Sequence, residues 1–90
     1  MAFDAALNDF TSSLGITKKL REYNVVTSWE TLVGEQIAKV AKPQRVENGV
    51  LFVSVASAPW RAELTIRRRE IIERINTGLG KKVVQDIRFR

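Results

Sequence analysis

The chain contains no cysteine and no histidine among its 90 residues. Without thiols there is no disulfide framework, and without thiols and imidazoles together the usual zinc ligand sets, thiol nucleophiles and imidazole bases are lost. What remains for catalysis is carboxylate acid–base work, a lysine Schiff base or an activated hydroxyl, and none of these has a recognisable spacing here. The sequence also lacks a Gly-x-x-x-x-Gly-Lys-Ser/Thr phosphate loop, so any nucleotide turnover would belong to a partner. Nothing in these absences calls for a metal or a cofactor. The expected protein is not an enzyme.

Other features are missing too. No stretch approaches the ~18 apolar residues of a membrane span, and Met1-Ala-Phe-Asp has no basic segment ahead of an apolar run, so a cytosolic protein is expected. Repeats, low-complexity segments and linkers are absent. With 44% hydrophobic and 28% charged side chains, residues 1–90 read as one small globular domain. Acidic residues are the scarcer charge: ten against fifteen Lys plus Arg, giving +5 at neutral pH. That balance favours polyanions or acidic surfaces as partners.

Apolar periodicity supplies the elements. Phe3, Ala6, Leu7, Phe10 and Leu14 form the stripe of a first helix that Gly15 stops. A short second helix is expected from Thr17, its cap, to about Tyr23, with Lys18, Lys19 and Arg21 in water. Thr27 and Glu30 have the spacing of a capping box, and Trp29, Leu32 or Val33, Ile37 and Val40 continue as a third helix. Gly34 within it signals a bend or a close contact, and Pro43 ends it. Gln44 to Glu47, Asn48-Gly49 and Val50 to Val55 spell a β-hairpin with a type I′ turn. Its alternation points Leu51, Val53 and Val55 at the helices, and Val50, Phe52 and Ser54 away from them. Ser57 or Ala58 with Pro59 opens a long helix with Trp60, Leu64, Ile71, Ile72 and Ile75 on its buried stripe, ending at Gly78 or Gly80. Val83 to Phe89 closes the chain as a strand, with Val83, Ile87 and Phe89 on one face and Val84, Asp86, Arg88 and Arg90 on the other. The order implies an α+β domain of two layers, a three-stranded sheet with helices packed mainly on one face.

Four ordered blocks then carry a resemblance: Ser28-Trp29-Glu30-Thr31-Leu32-Val33-Gly34-Glu35-Gln36-Ile37-Ala38, Asn48-Gly49-Val50-Leu51-Phe52-Val53-Ser54-Val55, Pro59-Trp60-Arg61-Ala62-Glu63-Leu64, and Ile87-Arg88-Phe89. In this order and spacing the chain resembles the DciA family, once catalogued only as a domain of unknown function. The resemblance implies a KH-like fold and a part in bacterial DNA replication, in which family members bind the DnaB-type replicative helicase and help load it onto single-stranded DNA. Two departures accompany it. The basic extension that many members carry is not in this sequence, which ends at Arg90, and the Gly-x-x-Gly phosphate clamp of true KH domains is replaced by Gly78-Leu79-Gly80.

Candidate site residues follow from charge and alternation. Trp29 and Trp60 have the chemistry of base-stacking platforms, but both lie on apolar stripes and are expected in the core. Phe52, on the sheet face the helices need not cover, and Ile66, off its helix stripe, are candidates for contact with a protein partner. The nucleic-acid candidates are Arg61, Arg67, Arg68, Arg69, Arg74, Lys81, Lys82, Arg88 and Arg90. Arg61 with Arg68, or Arg67 with Arg74, would share a face of a continuous helix. The plainer alternative is a solvated helix with i,i+4 pairs from Glu63 to Arg67 and Glu70 to Arg74. Three functions remain open: the helicase adaptor, a general RNA-binding or ribosome-associated KH-like module, and a purely structural interaction domain.

Overall fold

A computed structural model of the protein describes residues 16–90, so the helix expected from Phe3 to Leu14 lies outside the described residues. Helix α1 (Ile16–Thr27) is longer than periodicity alone predicts and takes in Thr17 rather than being capped by it. Val25, wholly buried, supplies the packing that carries the helix onward past Tyr23. The Thr27 hydroxyl donates back to the Tyr23 carbonyl at 3.3 Å. It therefore closes α1 instead of forming a capping box with Glu30, and Ser28 takes the cap position of the next helix.

The expected third helix is two short ones, α2 (Trp29–Val33) and α3 (Glu35–Val40), parted by Gly34. Gly34 has φ +94°, where a side chain is strained, and a Cβ there would lie 3.3 Å from the Arg74 guanidinium. The bend that this glycine signals is thus a break with a close contact. Trp29 is buried, and its indole N–H donates to the Ala41 carbonyl at 2.9 Å, tying α2 to the start of the sheet.

Strands β1 (Ala41–Glu47) and β2 (Val50–Val55) are antiparallel around Asn48-Gly49, with φ of +50° and +82° as a type I′ turn requires. β1 begins three residues before the expected Gln44, and Pro43 fits because β1 is an edge strand. Pairing slips once between Pro43 and Arg45, leaving Gln44 without a partner, and then sets Arg45 opposite Phe52 and Val46 opposite Leu51.

The long helix is also interrupted. α4 (Ala58–Ile66) starts at Ser57, whose hydroxyl accepts from the Trp60 backbone at 3.4 Å, and α5 (Arg68–Leu79) starts beyond Arg67 and ends at Gly80. Arg67, at φ −92° and ψ 10°, joins the two, with the Arg67 amide donating to the Glu63 carbonyl at 3.2 Å and the Ile71 amide to the Arg67 carbonyl at 3.0 Å. The buried stripe runs through Leu64, Ile71 and Ile75 on both sides of this joint, but it does not reach Trp60, which stands in the first turn of α4 and is 38% exposed, against expectation.

Strand β3 (Asp86–Phe89) runs parallel to β2, and the sheet order is β1-β2-β3. It is shorter than expected because Asn76 captures the chain ahead of it. The Asn76 side-chain oxygen accepts from the Val83 and Val84 amides at 3.0 and 2.9 Å, and its amide donates to the Val84 carbonyl at 2.8 Å. Val84, expected on the outer face, is turned into the core and fully buried. Leu51, Val53, Val55 and Ile87 form the covered face of the sheet beneath the helices, giving the α+β, two-layer arrangement expected and one consistent with a KH-like fold.

Candidate nucleic-acid interface

Three adjoining clefts collect seven of the fifteen cations. In the first, the start of α1 faces the hairpin turn and the segment after α5, bringing Lys18 and Arg21 near Lys82. The second is a groove of about 610 Å³ between α5 and the approach to β3, lined by Arg68, Arg69 and Lys82 together with Glu73, Asn76 and Asp86. The third runs along the end of β3 and holds Arg68, Arg88 and Arg90. Lys82 belongs to the first two clefts and Arg68 to the last two, so the three form one belt. Seven cations line it against three carboxylates, Glu22, Glu73 and Asp86, an excess of four positive charges.

Asp86 organises the middle of the belt. It lies 3.6 Å from Arg68 Nη1 and 3.5 Å from Arg88 Nε, and its Oδ1 also accepts from the Ile87 amide at 2.9 Å. Both arginines stay largely in solvent, so these pairs orient the guanidinium groups while contributing only about 0–1 kcal/mol each to stability.

Of the expected cations, Arg68, Arg69, Lys82, Arg88 and Arg90 come together and the others do not. Arg61 is half-buried, with its Nε enclosed and, among the described residues, without a hydrogen-bond partner. Arg67 sits beside Pro59, Trp60 and Glu63, Arg74 lies against Gly34, and Lys81 is exposed but lines none of the three clefts. Neither Arg61 with Arg68 nor Arg67 with Arg74 lines any of these clefts together: Arg68 turns to Asp86, and Arg74 lies against Gly34. The expected i,i+4 ion pairs are replaced by Arg67 Nε to Glu70 Oε2 at 3.3 Å.

Lys18 and Arg21 were expected only to be wet, and no local pattern links them to Lys82. Arg45 was missed although its signal was present. A two-residue turn at Asn48-Gly49 sets Glu47 opposite Val50, and counting back puts Arg45 opposite Phe52. Phe52 is half-buried on the outer face, with the Arg45 and Arg90 guanidinium carbons 4.3 and 5.0 Å from its ring centroid. Ile66 is 80% exposed, projecting from α4 on the side opposite Leu64.

Among the described residues no cluster of three or more acidic, histidine or cysteine side chains is placed to hold a metal, and no helix is long and apolar enough to cross a membrane. The geometry defines a basic α+β domain with a shared cationic belt. Residues 2–89 match the family model described as "Dna[CI] antecedent, DciA", and the chain belongs to the DciA family. A UPF0232 protein of Rhodococcus jostii (strain RHA1) is 33% identical over 87 residues, covering 97% of this chain and 46% of that protein. UPF0232 proteins of Mycobacterium leprae (strain TN) and Mycobacterium tuberculosis (strain H37Rv) are 31% and 29% identical, covering 91% and 93% of this chain and 43% and 45% of theirs. The chain thus spans under half the length of these relatives. Family membership relates it to bacterial DNA replication.

Proposed function

We propose that this chain is a non-enzymatic adaptor of bacterial DNA replication that binds the DnaB-type replicative helicase and assists its loading onto single-stranded DNA. One observation carries the reading: in a member of the DciA family, cations from α1, α5 and β3 share one belt of adjoining clefts. Such a belt suits a phosphate backbone, because side chains remote in sequence line a continuous path and stay hydrated until a polyanion displaces their counterions. Ile66, outward on α4, is the apolar contact offered to the helicase. An adaptor of this kind acts by binding one helicase conformation more tightly than another. It works in the cytoplasm, where the helicase is.

Size-exclusion chromatography of the chain with the helicase of the same cell, with and without labelled single-stranded DNA, tests this. Co-elution is expected, with the DNA contact weakened in Arg68→Glu/Arg69→Glu and falling with salt at about 0.7 in logarithmic slope per phosphate contact. Absence of any complex with the helicase would reject the adaptor. Tighter binding to structured RNA than to single-stranded DNA would favour the RNA-binding module instead.

A further inference from the structure

We infer that the outer face of the sheet is a stacking platform for the bases of a single DNA strand, built from Phe52 and the guanidinium groups of Arg45 and Arg90. The inference rests on the nucleic-acid half of the reading above and gives it a second surface, which joins the belt at Arg90. Two like-charged groups from opposite flanks of β2 converge on one aromatic ring, at 4.3 and 5.0 Å from its centroid. Their mutual repulsion is offset in part by the ring's negative face and by Glu47, 3.1 Å from Arg45. Among the described residues Arg90 has no carboxylate partner. The result is a cationic, partly exposed surface in which guanidinium groups lie over the aromatic ring. Single-stranded nucleic acids are held on such surfaces, since bases stack on aromatic rings and guanidinium planes while positive charge meets the backbone.

Continuity with the belt supports the same occupant. Arg90 both approaches the Phe52 ring and lines the third cleft with Arg68 and Arg88, so phosphates following the belt reach the platform without crossing an uncharged gap. Strand register also puts Arg88 opposite Phe52, on the same face. An apolar protein surface docking here would have to desolvate three guanidinium groups, which a phosphodiester chain does not require. Base stacking separates the two surfaces: the belt meets phosphates alone, whereas the platform distinguishes a strand with bases from one without.

Fluorescence anisotropy with labelled oligodeoxythymidylate of about 15 nucleotides, and with an abasic strand of equal length, reads this difference. Phe52→Leu keeps apolar volume and removes the π-face. It is expected to weaken thymidylate binding about fivefold or more and leave the abasic strand within about twofold. Arg45→Gln, at an exposed position, is the second variant should Phe52→Leu lose its circular dichroism signature, and it too must lower the ratio of thymidylate to abasic affinity. An unchanged ratio in a folded variant overturns the platform. So does Phe52→Leu losing helicase co-elution while keeping DNA affinity, which would make the face a protein contact, or tighter binding of the parent chain to oligouridylate than to thymidylate. Arg68→Glu/Arg69→Glu losing both strands equally while Phe52→Leu binds as the parent would sink the platform and leave the adaptor standing. Failure of the parent chain to bind either strand sinks the platform and the DNA contact together, with helicase co-elution left to judge the adaptor.

Discussion

The two faces of the sheet are made by the same few residues of backbone and do opposite things. On the covered face Leu51, Val53, Val55 and Ile87 are buried against the helices. On the outer face Arg45, Phe52 and Arg88 form a row across the three strands and meet solvent. Because side chains alternate at every residue, a strand can spend one set on cohesion and the other on contact. Stability and binding are therefore separable by substitution in this domain, even at adjacent positions.

The largest test of that separation is on the covered side. Trp29→Ala is expected to cost about 3–5 kcal/mol in urea unfolding, removing a buried ring and the donor to the Ala41 carbonyl. Trp60→Ala, at a partly exposed first turn, should cost about 1 kcal/mol. Equal losses would mean that Trp60 belongs to the core as fully as Trp29 does.

Leu51→Ala is next, at about 2–5 kcal/mol, with Ser54→Ala on the outer face within about 0.5 kcal/mol of the parent. If both melt alike, the two faces are not independent. Asn76→Ala strips the Val83 and Val84 amides and the Val84 carbonyl of their partner, and about 1–3 kcal/mol should be lost. The amide protons of Val83 and Val84 should then exchange fastest, a local effect that hydrogen exchange resolves. Smallest is Arg68→Ala: under about 1 kcal/mol in stability, with a salt slope for single-stranded DNA shallower by about 0.7. A larger stability loss would show that its pair with Asp86 holds the fold rather than orienting a cation.

Much of this domain was legible in the chain. The hairpin was readable because its turn is made by two adjacent residues, Asn48 and Gly49, whose backbone preference selects the type I′ geometry and the register with it. The caps at Ser57 and Gly80 were similarly local. The breaks at Gly34 and Arg67 were harder. Gly34 at least signalled a bend, but nothing in Arg67 and its neighbours distinguishes a helix interior from a joint. Val84 was misread because a side chain eight residues away, Asn76, decides its direction. Of the site, Arg68, Arg69, Lys82, Arg88 and Arg90 were singled out by charge, whereas Lys18 and Arg21 joined them only through folding.

The sequence by itself determined the absence of thiol and imidazole chemistry, the positive balance, the α+β order and the alternation that gives the sheet two unlike faces. Each of these depends on composition or on residues a few positions apart. The meeting of Lys18 with Lys82, and of Arg68 with Arg88 through Asp86, was decided only by the tertiary structure. Such contacts depend on how helices and sheet pack to bury their apolar sides, a condition on the whole chain at once that no short stretch contains.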